Sequence, residues 1–159
     1  MTPPSHNPFS HKDISGTPVG LIDAPGHPKA LPQQVERVER VEKPWGYEEV
    51  FAMRDGLYVG KILHISAGAA LSLQMHHHKD ETIAVQQGRI TLEHGSDVAH
   101  LESVTLAPGE RLRIPAGVVH RITAVSDSKV LEASTALEGW RHDIVRYEDV
   151  YGREGTSAP

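Results

Sequence analysis

GERLRIPAGVVH, residues 109–120, sets a glycine, five residues, Pro115, one residue, Gly117, two residues and His120 in a row. Upstream, GAALSLQMHHHKDETIAVQQG (68–88) places Gln74 six positions after its first glycine, His76 two further on, Glu81 five beyond that and the closing glycine seven later. Side chains at i and i+2 of a β-strand share a face, so Gln74 and His76 can address one ion together. Glu81 opens the next strand across a short turn. Pro115 and Gly117 shape a tight turn, from which the β-branched run 118–125 departs with His120 near its start. Two imidazoles, one carboxylate and one amide oxygen then form a mixed nitrogen and oxygen metal site.

The run His76, His77, His78 also contains a second His-x-His pair. In that register the leading glycine would fall on Ala70 and the glutamate would come too early. The expected ligands are therefore Gln74, His76, Glu81 and His120, with His78 as an additional ligand on the same strand face and His77 pointing away.

From Tyr47 onward the pattern is strand, turn, strand. Strands are expected at 47–53, 57–65, 71–76, 81–87, 89–94, 98–106, 111–114, 118–125, 128–134 and 143–148. Breaks fall at Arg54-Asp55-Gly56, Ala67-Gly68, Gln87-Gly88, His94-Gly95-Ser96-Asp97, Pro108-Gly109 and Ser126-Asp127-Ser128. Ten short strands without a long helix predict an all-β, double-sheet jelly roll. The spacing of Val35, Val38 and Val41 fits either a short helical turn or an irregular lead-in to the first strand.

The chain of 159 residues has room for one such barrel, expected over 35–154. Seven of its 11 prolines precede residue 33. A segment of that composition buries little apolar surface to offset ordering entropy, so 1–34 is expected to be disordered or an extended arm on a neighbour. Residues 155–159 read as a disordered tail. The absence of cysteine excludes disulfides and thiolate catalysis, and a net charge of -5 gives no support to nucleic-acid binding. No apolar stretch approaches the roughly 18 residues of a membrane helix, and the first residues lack a hydrophobic signal region. A cytoplasmic protein is expected. In the strand carrying Gln74 and His76, the other face holds Leu71, Leu73 and Met75, and an apolar face in need of cover predicts a homodimer.

The two metal segments resemble the paired motifs of the cupin superfamily, small barrels that bind a divalent metal. Gln74 stands where the usual first motif begins with histidine, as in phosphomannose isomerases. KPWGYEEV (43–50), KILHISAG (61–68), LSLQMHHH (71–78) and DIVRYEDVYGR (143–153) resemble the cupin domain of type II mannose-6-phosphate isomerases, and still more closely a group of small free-standing cupins related to it. The resemblance covers 41–154. GWRHD (139–143) departs from the acidic run usual there. The implied reaction is aldose-ketose isomerisation of a sugar phosphate, in which a divalent ion polarises a carbonyl and holds enediolate charge. Zinc is the implied metal, with manganese, iron, cobalt or nickel also suited to the donor set.

That chemistry needs a base and a phosphate anchor. Lys61, which has a lysine counterpart in the related domain, is the first choice as base among Lys61, His64, Glu132 and Tyr147. Arg141, Arg146 and Arg153 could anchor phosphate through bidentate contacts, with Arg146 assigned to the catalytic centre and Arg141 and Arg153 to substrate. They could equally pair with Asp143, Glu148, Asp149 and Glu154 on a solvated edge. Lys79 and Asp80 are placed in the turn at the rim, with Lys79 as a substrate contact. Trp45 is expected to plug one end of the barrel. The alternatives are an accessory sugar-binding cupin and a metal-dependent cupin oxygenase, for which two histidines and a carboxylate also suffice.

Overall fold

The computed structural model describes residues 35–157, so the Pro-rich segment and the arm expected there lie outside the described residues. From Arg37 the chain forms one unit. Its strands are β1 (Glu39–Lys43), β2 (Gly46–Arg54), β3 (Tyr58–Ile65), β4 (Leu73–Met75), β5 (Glu81–Gln87), β6 (Ile90–Gly95), β7 (Leu101–Leu106), β8 (Arg111–Ile114), β9 (Val119–Ala124), β10 (Ser128–Thr135) and β11 (Val145–Glu148). They make two antiparallel sheets, ordered β1-β2-β3-β10-β5-β8 and β11-β4-β9-β6-β7. This is the all-β jelly roll predicted from the strand and turn pattern.

Alternation along each strand builds the core. In β5, Glu81, Ile83 and Val85 are buried while the residues between them are half-buried; β10 buries Ser128, Val130, Glu132 and Ser134. The buried apolar cluster joins Leu63, Ile65, Ile83, Val85, Ile122, Ala124 and Val130 with Ile90, Leu92, Ile114 and Trp45. Each buried isoleucine or leucine contributes about 1.5–3 kcal/mol by leaving water. The same inward rows change character along their length: Lys61 precedes Leu63 and Ile65, Glu81 precedes Ile83 and Val85, His120 precedes Ile122 and Ala124, and Glu132 follows Val130. Antiparallel pairing aligns them, with Lys61 opposite Glu132 and Leu63 opposite Val130. One end of the barrel is therefore apolar and the other carries charge. Trp45 belongs to the apolar cluster and also lines the pocket at the charged end.

Two motif glycines have backbone reasons. Gly88 has φ +81°, and a Cβ there would stand 2.3 Å from the Asp127 carbonyl oxygen. Gly117, at φ +85°, donates its N–H to the carbonyl of His76 at 2.8 Å, which ties the two metal segments together.

Several boundaries differ from those expected. The segment 39–43 is neither a helical turn nor irregular: it pairs with β2 from Glu39 opposite Val50 to Lys43 opposite Gly46, and the Arg40 guanidinium covers the Tyr47 ring at 3.6 Å. Valines at every third position hid the alternation. The strand expected from 98 begins at Leu101, because Asp97 accepts from the Ala99 N–H and the His100 ring and holds a turn that leaves Val98 half exposed. A 3-10 turn, Trp140–His142, was not foreseen, and the last strand starts at Val145 rather than 143. Regular pairing of β4 begins only at Leu73, and Leu71 lies beside Gln74 in the pocket wall rather than on an outer apolar face. Leu73 is itself buried.

Candidate metal centre

Gln74 of β4 sits opposite His120 of β9, and Glu81 opens β5 opposite Ile114 of β8. Donor atoms of His76, Glu81 and His120 lie within 4.8 Å of one another, all three residues buried. His120 Nε2 is 3.1 Å from Glu81 Oε1, and His76 Nε2 is 3.9 Å from Glu81 Oε2.

Ring orientation follows from what each Nδ1 meets. His120 Nδ1 faces the Val118 carbonyl at 3.0 Å, and His76 Nδ1 faces the Asp143 carbonyl. A carbonyl only accepts, so each Nδ1 carries the proton and each Nε2 lone pair is left toward Glu81. His120 Nε2 is buried without a hydrogen-bond partner among the described residues, and Glu81 Oε2 meets the Lys79 ammonium. Burying a nitrogen lone pair unsatisfied costs about 1–3 kcal/mol, and a divalent cation would accept it together with a lone pair of the Glu81 carboxylate. The residues fit a metal ion.

Gln74 adjoins the group. Its Oε1 accepts from Ser72 Oγ at 2.7 Å, and its Nε2 is 3.5 Å from His76 Nε2. As a fourth ligand it must present oxygen to the ion; the amide then donates to Ser72 with its shape unchanged. His78 is exposed, like His77, and neither belongs to the donor group.

Asp143, considered from sequence only as a partner for the C-terminal arginines, organises this segment instead. Its carboxylate accepts the backbone N–H groups of His77, His78 and Lys79 at 2.8, 2.9 and 2.8 Å, while its carbonyl orients His76. Burial alone would raise its carboxyl pKa, but those N–H groups hold it below the ordinary value. The only sequence signal was an aspartate just ahead of the last strand.

Lys79 does not stand at the rim. It is buried, with Nζ 2.5 Å from Glu81 Oε2 and 3.1 Å from Glu132 Oε1. Burial opposes its charge, yet Glu132 and Glu81 raise its pKa above the ordinary lysine value. Burial likewise opposes ionisation of Glu81 and Glu132, and Lys79 outweighs it, holding both carboxyls low. The pattern continues across the six-stranded sheet: Lys61 Nζ is 3.3 Å and Lys43 Nζ 3.6 Å from the Glu48 carboxylate.

Lys43, Glu48, Lys61, Lys79 and Glu132 line one pocket together with Gln74 and His76, and Arg141, Arg146, Arg153, Trp45 and Trp140 also line it. Arg141 lies over the Trp140 ring at 4.5 Å and reaches Glu39 at 3.5 Å. Arg153 pairs with Asp149 at 2.6 Å. Arg146 is buried and donates to the Thr156 carbonyl at 2.8 Å, so Thr156, assigned by sequence to the tail, packs on the site. Two further base candidates lie outside the pocket lining: His64 meets Glu49 at 2.7 Å and stacks on Tyr47, and Tyr147 is exposed. Asp80 pairs with Arg113 at 2.5 Å.

The model of the mannose-6-phosphate isomerase C-terminal family matches residues 32–149. The chain belongs to this family. It is 34% identical over 116 residues to the xanthan biosynthesis protein XanB of Xanthomonas campestris pv. campestris, covering 72% of this chain and 24% of that protein. It is 34% identical over 119 residues to the alginate biosynthesis protein AlgA of Pseudomonas putida, covering 73% of this chain and 23% of AlgA. The chain thus spans about a quarter of the length of the curated relatives it matches. Its fold is that of a cupin. Oxalate decarboxylase from Bacillus subtilis superposes with a TM-score of 0.58 at 15% identity, over 69% of this chain and 30% of that one. Among the described residues no helix is long and apolar enough to cross a membrane.

In this mannose-6-phosphate isomerase C-terminal domain, His76 supplies a pH signature. Burial first, then Lys79, pushes its imidazole pKa down from 6.5 to about 4 against the opposing pull of Glu81. Below pH 6.5 the unfolded chain takes up a proton that the folded metal-free protein refuses. Stability present above that pH is therefore lost as pH falls toward 4, by about 3 kcal/mol if His76 acts alone. The urea midpoint of chelated protein should fall across this window more steeply than that of His76→Gln. Equal slopes would refute the assignment.

Proposed function

We propose that this chain is a metal-dependent aldose-ketose isomerase of the mannose 6-phosphate type, serving carbohydrate and polysaccharide synthesis. One observation carries the reading: His76, which shares a donor group with Glu81 and His120, lines with Gln74 a pocket that also holds an ionised Glu132, three lysines and three arginines. The names of XanB and AlgA, in xanthan and alginate biosynthesis, favour a polysaccharide setting. Zinc is the metal proposed. Held by His76, Glu81, His120 and the Gln74 amide, a divalent ion supplies Lewis acidity for a sugar carbonyl and the charge that develops on it.

The residues around it divide the remaining work. Glu132, opposite Lys61 in the strand register, moves the proton between neighbouring carbons as a carboxylate. Lys61, the base expected from sequence, pairs with the Glu48 carboxylate at 3.3 Å and acts as an electrostatic partner. The arginines of the C-terminal segment address phosphate.

Metal content and isomerisation of mannose 6-phosphate should be measured on the same untagged sample, with and without chelator. Turnover is expected, abolished by chelator, and reduced about 10²–10⁴-fold in Glu132→Gln at unchanged metal content. Turnover that survives metal removal sinks the proposal. A binding role without catalysis is the second reading, favoured by the engagement of the Glu132 carboxylate with Lys79 at 3.1 Å; it predicts bound metal and bound sugar phosphate without turnover.

A further inference from the structure

The outer faces of the two sheets have different chemistry. On the five-stranded sheet the outward positions carry charge: Arg121 of β9 pairs with Glu93 of β6 at 2.6 Å and with Glu148 of β11 at 3.0 Å. The middle of the six-stranded sheet is apolar outside as well as inside. Outward Ile62 stands between Lys61 and Leu63, outward Ala84 between Ile83 and Val85, and outward Leu131 between Val130 and Glu132. Strands apolar on both faces are expected where both faces are covered. Toward one end of this outer face the Phe51 ring lies on Gly60, where an added Cβ would stand 2.7 Å from it. Phe51, Leu57, Tyr58 and Ala133 line a groove there, and the first three are 51–58% exposed. Large apolar side chains gathered on one face mark an interaction surface.

Strand register points to the occupant. One row crosses the sheet: Glu49 of β2 lies opposite Ile62 of β3, Ile62 opposite Leu131 of β10, Leu131 opposite Ala84 of β5, and Ala84 opposite Arg111 of β8. Leu131 is the centre of this row, with an acid two strands to one side and an exposed base two strands to the other. Arg40, the next residue beyond Glu49, is held by Glu42 at 2.6 Å and over the Tyr47 ring. A half-turn about an axis lying along β10 in the plane of contact exchanges the two sides of the row. Leu131 then meets Leu131 of the partner subunit, the large Ile62 meets the small Ala84 of the partner subunit, and Glu49 meets Arg111 of the partner subunit, the last two contacts each made twice. Glu49 Oε2 is 2.7 Å from His64 Nε2, and the carboxylate has further lone pairs for a guanidinium. We propose that this outer face docks a second copy of the chain, the two six-stranded sheets packing face to face about a two-fold axis at Leu131. Strands of sheets packed in this aligned way run within about 30° of each other. The homodimer expected from sequence is thereby moved to this face, since Leu71 lines the pocket and Leu73 is buried.

The test is sedimentation velocity of the untagged full chain at micromolar concentration, where a species of twice the chain mass is expected. Leu131→Arg should raise the dimer dissociation constant at least about a hundredfold by setting two like charges together on the axis, while Val98→Arg, in the turn before β7, should leave it unchanged. Glu49→Arg and Arg111→Glu should each weaken the dimer at least about tenfold, because each places like charges opposite one another twice. An equimolar mixture of these two variants should recover the dimer, since opposite charges then meet at both contacts. Melting curves show that each variant is folded, and only folded chains reassociate in the mixture. A monomeric parent overturns the proposal and leaves the face to another segment of the chain or to a different protein. A dimer that survives L131R, or E49R and R111E chains that fail to pair on mixing, overturns it as well.

Discussion

Glu81→Ala is expected to abolish stoichiometric metal binding, and His120→Ala to do the same. Glu81 is the one carboxylate in the donor group, with an oxygen 3.1 Å from His120 Nε2. Without it, two imidazoles and an amide carry no charge to neutralise a divalent ion, and the buried Lys79 ammonium beside them repels it. Altering groups outside the ligand set typically costs 10–100-fold in metal affinity, so removal of a ligand should exceed about a hundredfold. Elemental analysis of untagged protein reads the result. The two variants differ usefully in side effects: losing Glu81 takes an anion from Lys79, while losing His120 opens a cavity but leaves the Lys79 pairs intact. Retention of one ion per chain by both folded variants would refute the ligand assignment.

Lys79→Met should destabilise the chelated protein by about 3–5 kcal/mol, the usual cost of breaking a buried ion pair by removing one partner. The ammonium lies 2.5 Å from Glu81 and 3.1 Å from Glu132, and both carboxylates are 7% exposed or less. Glu132→Gln in the same chain should recover a large part of the loss, because an apolar residue and a neutral amide need no counter-charge. The pH dependence has a definite sign. In the parent, Lys79 holds both carboxyls below 4.5, so the stability they contribute is present above that value and fades as pH falls. Without the lysine, burial raises both carboxyls, the folded variant takes up protons first, and its deficit shrinks on acidification. Metal should narrow the deficit too, by neutralising Glu81. Urea unfolding at several pH values with and without chelator checks all three statements; an unchanged midpoint would place Lys79 outside the buried network.

Much of the barrel was legible because its rules are local. Period-two alternation with glycine and proline breaks located ten of the eleven described strands, and β1 escaped because valines three apart imitate a helical turn. Gly88 and Gly117 were legible as turns, while the carbonyls they approach were not.

The metal donors His76, Glu81 and His120 could be named from sequence because strand pairing converts fixed spacing into fixed position. Gln74 and His120 meet because β4 and β9, far apart in sequence, are neighbours in the five-stranded sheet. The charges around them could not be assigned that way. Whether Lys79 points to water or into the barrel depends on Glu132, 53 residues away, and on Asp143, which turns the backbone of His77 to Lys79 from 64 or more residues away. The same holds for Arg146, which the sequence assigned to the catalytic centre with a solvated edge as the alternative, and which is buried in the pocket wall of the folded chain. The chain itself thus determined the all-β barrel and named its candidate donors, since backbone periodicity, turn residues and motif spacing carry them. Tertiary structure alone decided which lysines, arginines and carboxylates neutralise one another, because an ion pair depends on distance in space, and sequence separation places no bound on it.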